Sequence, residues 1–490
     1  MADLERGARI AGRYVVVDVL GKGGTSIVYR ASDRDGREVA VKVLRFTDDE
    51  TARRARREAQ AMRRLDPARV AQLYEVGETE DREPYIAMEL VHGTSGRALL
   101  AGGALDAREA LRITREIGIT LDAAHRLGLV HRDVKPDNIL VRDDGRVVLL
   151  DFGIVKCVQR DGERLLRTTW LTEEGTLIGT PAYLAPEQAL GEDLGPAADQ
   201  FALAVVAFEL LTGRSPWAAK EPTHVIAQIL GGTPLAPSAA NPRLPRAFDP
   251  VFARAMAKGA DERFPSIEAF VAALAAAERG EELPSQERAK RVETAERAQS
   301  VRVSVRVKGV NFRSFLAAFE RLRGAEAVER ALSLLPTDLG DALRLGALTT
   351  SGWYSADWYR ALHYGAQRAC LEGPALSRAI ARDAIAEDFR AGVYRLVTLT
   401  LSPEAIFRWA PRVVGSYFDR GRIVIEQAEP GLAMGRFEGF HGFDRNLWED
   451  MIGGAVGVLE LAGAKKLAPR VLAGGGDGDA HMSYSLRWTS

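Results

Sequence analysis

Asp133, Asn138 and Asp151 are two carboxylates and an amide set at fixed spacing between apolar runs that read as strands. They stand in His131-Arg132-Asp133-Val134-Lys135-Pro136-Asp137-Asn138 and, further on, Asp151-Phe152-Gly153. Asn138 follows Asp133 by five residues and Asp151 follows it by eighteen. Moving a phosphoryl group to a hydroxyl needs a carboxylate to take the proton, with an amide and a second carboxylate to hold magnesium. This stretch offers all three.

Rigid elements must place these groups, and the chain is patterned to supply them. Tyr14 to Leu20, Ser26 to Ser32, Glu38 to Leu44 and Tyr85 to Leu90 read as strands joined by glycine-bearing turns. Ala52 to Leu65 is a helical pattern rich in Arg and Ala, with Glu58 at its middle. From residue 107 the apolar period lengthens toward 3.6, and Leu111, Ile113, Ile117 and Leu121 can line one helix face over 107–127. Helical patterns continue through 199–213, 222–230, 248–257 and 266–279. The reading is a small β-rich lobe followed by a mostly helical one.

At 490 residues the chain is too long for one ordinary core, so two or three domains are expected. A hydrophobic content of 46% and a charged content of 27% describe a globular chain, not a disordered one. Lys plus Arg number 66 against 67 Asp plus Glu, a net charge of -1. That balance gives no global case for nucleic-acid or anionic-membrane partners, and neither is expected. Cys157 and Cys370 are too few for a disulfide framework or a zinc site, which points to a reducing cytoplasm. Met1 to Arg6 shows no apolar signal-peptide core. The most apolar helical stretch, Phe201 to Leu211, is too short to span a bilayer and carries Glu209. A cytoplasmic location is expected.

Gly21-Lys22-Gly23-Gly24-Thr25-Ser26-Ile27-Val28 lies between two of the strands. Small residues there let backbone N–H groups approach phosphate oxygens, although a glycine-rich hairpin turn would read the same by itself. Ser26 stands where a third spaced glycine would fall and is small enough to serve. Lys42 lies on the third strand, in Val39-Ala40-Val41-Lys42. A lone strand lysine would face water; held by a helix carboxylate, it could reach the α- and β-phosphates. Glu58, in the middle of the next helix, is the natural partner.

The order of these parts carries the argument. Glycine-rich loop, strand Lys, helix Glu, the His131-to-Asn138 stretch, Asp151-Phe152-Gly153 and Ala185-Pro186-Glu187 follow one another as in the protein-kinase signature. Residues 14 to about 276 resemble the bacterial eukaryotic-like (Hanks-type) Ser/Thr protein kinases over the whole catalytic domain. The resemblance implies a two-lobed fold, protein substrates, and ATP with Mg2+, for which Mn2+ can substitute. It implies that Asp133 orients or deprotonates the substrate hydroxyl, that Lys135 neutralises the γ-phosphate, and that Asn138 and Asp151 bind the metal. Lys135, two residues after the base, is the Ser/Thr form and not the tyrosine form. Lys42 and Glu58 would be the ion pair that marks the active state. Leu20, Gly21, Lys22, Gly23, Gly24, Ser26, Val28, Ala40 and Leu140 would wrap the nucleotide. Met88-Glu89-Leu90-Val91 would be the hinge that receives adenine, with Met88 as gatekeeper. Thr180 would touch Asp133 and Lys135, Arg263 would pair with Glu187, and Asp199 would brace the catalytic loop. Ala204 stands where the family usually has Gly, a departure that touches nothing catalytic.

Arg132 precedes the candidate base, and kinases of this type are commonly switched by an activation-loop phosphate that pairs with that Arg. The loop 154–184 carries Thr168, Thr169, Thr172 and Thr176 among Arg164 and Arg167. Autophosphorylation in trans is expected, at Thr172 first, because it lies seven residues before Gly179. Arg53, Arg54, Arg56 and Arg57 cluster beside Glu58, where a solvated helix face that meets loop phosphate is a simpler reading than a nucleic-acid patch.

Between about 280 and 300 the composition shifts to Glu, Arg, Lys and Gln, which marks a linker. Beyond it, Val301 to Val307 alternates as a half-buried strand, and Phe312 to Arg323, Trp358 to Cys370 and Leu376 to Phe389 read as helices. Ser402-Pro403-Glu404 is a helix-start signal, with Ser402 as N-cap. Strands Arg422 to Gln427 and Leu432 to Phe437 flank a Glu429-Pro430-Gly431 turn, and a helix near Asp444 to Leu461 and a strand Met482 to Trp488 close the chain. This is a separate α+β region.

Val307-Lys308-Gly309-Val310, Tyr354 to Tyr359, Gly392-Val393-Tyr394-Arg395, Tyr417-Phe418-Asp419 and Tyr484-Ser485-Leu486-Arg487-Trp488 resemble a myxobacterial paralogous family of unknown function. That family is distantly similar to sensory domains of the haem–nitric-oxide-binding and vinyl-reductase type, which often carry cysteines near the final strand; this chain has none there. His363, His441 and His481 read as structural histidines before they read as ligands. Trp353, Tyr354, Trp358 and Tyr359 could wall a pocket or fill a core.

The scheme expected is an extension at 1–13, a kinase catalytic domain at 14–277, a charged linker at 278–300 and an α+β regulatory or sensory-like domain at 301–490, with a small-molecule or protein partner. The competing reading is a non-catalytic nucleotide-binding scaffold, which the complete set of catalytic residues opposes. The second region shows no ordered acid, base and nucleophile of its own.

Overall fold

The computed structural model describes residues 4–22, 26–44, 61–152, 181–190, 194–219, 221–281, 304–350, 352–390, 394–395, 398 and 401–489. The chain divides into two compact units, Met1–Pro284 and Ser285–Ser490.

The first unit opens on β1 (Arg9–Ile10), β2 (Tyr14–Lys22), β3 (Ser26–Ser32), β4 (Glu38–Leu44), β5 (Leu73–Glu78) and β6 (Pro84–Glu89). They form one antiparallel sheet in the order β1-β2-β3-β4-β6-β5. Valines alternating with smaller or polar residues suit a pleated, half-buried surface, and β4 is buried almost throughout. Tyr14, Ile27, Tyr29, Val41 and Tyr85 form the core on one face. The sequence pattern passes over β5, whose acidic residues and Gly77 dilute its alternation. Gly77 is needed there: a Cβ would lie 2.6 Å from the Tyr85 ring.

A three-stranded ribbon, β7 (Thr94–Ser95), β8 (Ile139–Val141) and β9 (Val147–Leu149), follows in the order β7-β8-β9. The rest of the unit is helical, with helices Ala107–Arg126, Pro196–Thr212, Pro222–Gly231, Phe248–Ala255 and Ile267–Glu278. Asp106 and Ser266 cap two of them, accepting from Arg108 N at 3.0 Å and Ala269 N at 3.1 Å. Helix Pro196–Thr212 is largely apolar and buried along most of its length because neighbouring helices pack around it, not because it meets lipid. Edge-on ring pairs such as Phe208–Phe252 and Phe252–Phe270 pack this core. Each buried ring contributes roughly 1.5–3 kcal/mol. Among the described residues no helix is long and apolar enough to cross a membrane.

The second unit carries helices Gly309–Arg323, Ala325–Ser333, Thr337–Arg344, Ala356–Cys370, Ala375–Asp388, Pro403–Phe407, Ala410–Tyr417 and Arg445–Leu461. A short pair, β10 (Arg306–Lys308) and β11 (Trp353–Ser355), accompanies an antiparallel sheet of β12 (Arg422–Glu429), β13 (Leu432–Glu438), β14 (Lys465–Gly474) and β15 (His481–Thr489). The sheet order is β12-β13-β15-β14. Within the described residues, the strand expected over 301–307 shortens to β10, since pairing with β11 covers only three residues. Ser402 takes the N-cap position of Pro403–Phe407 in extended backbone, yet its hydroxyl makes no capping bond. Asp444 does cap its helix, accepting from Asn446 N and Leu447 N at 3.1 Å. Helices Ala375–Asp388 and Arg445–Leu461 touch through Gly453 and Gly457, where a Cβ would lie 2.3 Å from Arg378 O and 2.6 Å from Arg382 O. Only glycine permits that approach.

Candidate active site

The site is assembled from three elements of the first unit. β4 supplies Lys42, the segment between helix Ala107–Arg126 and β8 supplies His131 to Asn138, and the end of β9 leads into Asp151 and Phe152. Lys42 Nζ lies 2.9 Å from Asp151 Oδ1, so a strand cation and a loop carboxylate close on one another. Lys135 Nζ lies 2.9 Å from Asp133 Oδ2. Asn138 Nδ2 donates to Asp133 O at 2.8 Å and to Asp133 Oδ2 at 3.2 Å. With its nitrogen turned toward two oxygens, the amide keeps Oδ1 as a free acceptor face.

Two residues here hold backbones that side-chain-bearing residues rarely adopt, Arg132 with φ 66° and Asp151 with φ 50°. Each such conformation costs about 1–3 kcal/mol and persists only where neighbours over-determine it. Asp199 does so for the loop. Buried at the start of helix Pro196–Thr212, it accepts from His131 N and Arg132 N, each at 2.8 Å, and its Oδ2 also lies 2.8 Å from His125 Nε2. His131 Nε2 reaches Leu150 O at 2.9 Å, its Nδ1 accepts from Asp133 N at 3.2 Å, and its ring packs on Phe152 at 4.6 Å. Burial pushes the His131 imidazole below its usual pKa, which keeps it neutral and able to accept. Gln188 Nε2 donates to Arg132 O at 2.9 Å from the other side.

A cavity behind Met88 is walled by Lys42, Ile86, Met88, Leu149, Asp151 and Phe152, among others. Of the residues expected to hold nucleotide, Lys42 and Met88 line it. Ala40 pairs with Met88 across β4 and β6, and Val28 pairs with Lys42 across β3 and β4, so both ride on the strands that carry it. Gly21 pairs with Val28 and Lys22 with Ile27, and the half-exposed Leu20 precedes them on β2. Glu89 ends β6 and meets Arg142 Nη2 at 2.7 Å, Val91 lies two residues further on, and Leu140 lies on β8 opposite Ser95. Ser26 begins β3. Gly23, Gly24, Glu58, Thr168, Thr169, Thr172, Thr176 and Thr180 lie outside the described residues.

Arg263 and Glu187 meet in a buried, bidentate pair, with both N–O distances 2.7 Å. Arg263 also donates to the carbonyls of Ala197 and Ala257. Sequence spacing missed three supports, each made by residues far apart in the chain: His125 against Asp199, Gln188 against Arg132, and Arg97 against both Asp137 and Tyr183 at 3.0 Å. No spacing signal announces them.

A two-lobed unit with a strand lysine, a loop carboxylate beside a lysine and an amide, and a buried Arg–Glu pair is a protein kinase domain, and residues 14–249 match the protein kinase domain family. The chain is 37% identical over 282 residues to the serine/threonine-protein kinase PknL of Mycobacterium tuberculosis, covering 56% of this chain and 68% of that one. It is 38% identical to serine/threonine-protein kinase PksC of Streptomyces coelicolor, over 54% of this chain and 48% of that protein. Against serine/threonine-protein kinase PrkC of Bacillus subtilis the identity is also 38%, over 54% and 40% of the two chains. The chain thus spans less than half the length of those last two relatives. It belongs to the serine/threonine protein kinase family.

Proposed function

We propose that this protein transfers the γ-phosphoryl group of ATP to Ser and Thr hydroxyls of protein substrates. The observation that carries the reading is the Asp133 carboxylate, held by Lys135 Nζ at 2.9 Å and Asn138 Nδ2 at 3.2 Å on a loop that Asp199 locks. Asp133 orients the substrate hydroxyl and takes its proton, a step worth about 10²–10⁴-fold in rate. Lys135, already beside that carboxylate, offsets negative charge on the transferring phosphate. Lys42 holds the α- and β-phosphates, with Glu58 as the partner that would draw it from Asp151.

The residues fit a hard divalent cation. Asp151 offers a carboxylate and Asn138 a free amide oxygen, and among the described residues no cluster of three or more His, Cys, Asp or Glu forms a cage. Two protein oxygens with the rest supplied by phosphates and water is the arrangement magnesium favours. When bound, Mg2+ or Mn2+ would neutralise charge on the phosphates beside Lys42 and Asp133. Glu187 and Arg263 are structural; Leu20, Gly21, Lys22, Gly23, Gly24, Ser26, Val28, Ala40, Met88, Glu89, Val91 and Leu140 form the nucleotide cleft.

Activation by trans-autophosphorylation on the loop 154–184 completes the reading, with Thr172 the first site and Thr168, Thr169 and Thr176 the alternatives, in a cytoplasmic protein. The second unit is a regulatory domain that takes a small molecule or a protein partner. Radiolabelled Mg-ATP and a generic substrate provide the test. Wild type should label itself and the substrate, and Asp133→Asn should lose about 10³-fold of that rate while still binding nucleotide. Equal activity in the two proteins would sink the proposal, and phosphate found only outside 165–176 would refute the loop switch.

A further inference from the structure

The second unit carries a partly open cavity of about 120 Å³ between its helices and the β12-β13-β15 face of its sheet. Its walls are largely apolar, with Ile385, Ile406, Phe407, Phe437, Met451 and Leu459 among them. Cavities of this order are large enough for a six-membered ring, since an apolar void of about 150 Å³ takes benzene.

Two carboxyl groups, three phenols, the Asn311 amide and the Ser314 hydroxyl break this apolar lining. Asp450 accepts from the Tyr359 hydroxyl at 3.2 Å. Asp388 accepts from Ser314 Oγ at 3.1 Å and from the Tyr417 hydroxyl at 3.4 Å. The third phenol, Tyr484, is 1% exposed, lines the cavity, and has no hydrogen-bond partner for its hydroxyl among the described residues. Leaving a buried hydroxyl unpaired is costly, so a native orphan within the wall of a cavity calls for a partner. Tyr484 also stacks on Phe437 at 4.9 Å and meets Phe407 edge-on, which brings several aromatic rings to one wall. Burial, with the Asp450 carboxylate beside it, holds the Tyr359 phenol well above its usual pKa.

Charge decides which ligand fits. No Lys, Arg or His lines the cavity among the described residues. His363 lies beneath it, with Nε2 3.5 Å from Asp450 Oδ1 and Nδ1 2.8 Å from Ser377 Oγ. An anionic head would therefore meet two carboxyls and no cation. An ammonium head would meet two carboxyls with lone pairs to spare, the Tyr484 hydroxyl and aromatic faces.

We propose that this cavity is a binding site for a compact apolar primary amine, its ring-sized body on the Ile, Phe and Met walls and its ammonium on Asp450, Asp388 and the Tyr484 hydroxyl. The inference deepens the reading of the second unit as a regulatory domain and rests on that reading only for its consequence, not for the site.

Gly454 offers a clean block. It lines the cavity, and a Cβ there meets nothing within 4 Å, unlike its neighbour Gly453, which is pressed against Arg378 O. Gly454→Leu should fill the void and raise helix propensity without a backbone clash. The test is isothermal titration of the full chain with benzylamine, benzyl alcohol and benzoate at matched salt and at a pH of about 8, above the range in which Asp450 keeps its proton. Benzylamine should bind at least about tenfold more tightly than benzyl alcohol, because charge-assisted bonds are roughly twice as strong as neutral ones, and benzoate should not bind. Gly454→Leu should abolish benzylamine binding with an unchanged circular dichroism spectrum, and Asp450→Asn should bring amine and alcohol within about threefold. No benzylamine binding, equal binding of all three probes, or benzylamine binding that survives Gly454→Leu would overturn the proposal. Kinase activity measured on the same samples reports separately on the first unit, so a failure there is distinguishable from a failure of the site.

Discussion

Lys42 Nζ and Asp151 Oδ1 lie 2.9 Å apart although 109 residues separate them. The pair joins β4 of the strand-rich lobe to the loop after β9, across the cleft that would hold nucleotide. Lys42 is 12% exposed and Asp151 31% exposed at their side chains, so water screens the contact. Such a pair contributes under about 1 kcal/mol to stability. Lys42→Met is therefore expected to leave the melting temperature nearly unchanged while reducing phosphotransfer by at least about 10²-fold, the loss expected when a reactant is no longer positioned. Differential scanning fluorimetry beside a kinase assay checks both halves; a large fall in melting temperature would contradict the screened-pair account.

Asp199 holds the loop that carries Asp133 by accepting two backbone N–H bonds at 2.8 Å. An amide presents one oxygen where the carboxylate presents two. Asp199→Asn should release either His131 N or Arg132 N and let Arg132 relax from its left-handed backbone. The expected result is a kcat lower by about 10²-fold with a nearly unchanged KM for ATP, since a displacement near 1 Å at a catalytic group costs that much. Steady-state kinetics separates the two constants, and a change confined to KM would count against a loop-positioning role.

Arg263 is fully buried at its side chain and Glu187 nearly so. Removing one partner leaves the other charge buried and uncompensated, which costs about 3–5 kcal/mol. Arg263→Met should destabilise the first unit by that amount, and Arg263→Lys by less, since it keeps the charge and loses the fork. Urea unfolding of the variants measures this. A loss below about 1 kcal/mol for the methionine variant would refute a structural bridge.

Burial pushes the Asp450 carboxyl up from 3.8 to about 7, against the opposing Tyr359 hydrogen bond, and pushes His363 down from 6.5 to about 3. Between about pH 4 and 6.5 the folded unit keeps a proton on Asp450 that the unfolded chain has released. Over the same range it lacks a proton on His363 that the unfolded chain has taken up. The raised acid favours folding at low pH and the depressed imidazole favours it at high pH, so the two slopes oppose one another. Asp450→Asn removes the first. The variant should then lose stability as pH falls from about 6.5 toward 3, by about 1.4 kcal/mol per unit, and should exceed wild type above pH 7. Hydrogen exchange of residues 304–489 across that pH range reads the second unit alone, and a variant profile parallel to wild type would refute the assignment.

The candidate catalytic stretch was legible because its chemistry is written at short range. Asp133, Lys135 and Asn138 fall within six residues, and one turn of 3₁₀ helix, Pro136–Asn138, suffices to bring them together. The β2-to-β4 hairpins and the helix beginning at Ala107 follow from local periodicity for the same reason. Contacts between distant segments leave no such trace. Asp199 reaches back 68 residues to His131, and β5 is a strand because β6 pairs with it.

The cavity of the second unit shows the limit most plainly. Of the aromatic residues Trp353, Tyr354, Trp358 and Tyr359, all with equal standing in the sequence, only Tyr359 lines it. Its other polar groups come from Asn311, Ser314, Asp388, Tyr417, Asp450 and Tyr484, carried on four helices and the last strand. The order of motifs was enough to place this chain among the serine/threonine protein kinases, because each motif keeps its meaning wherever the chain runs. Whether a buried tyrosine hydroxyl finds a partner is settled by which segments pack beside it, and only the folded chain decides that.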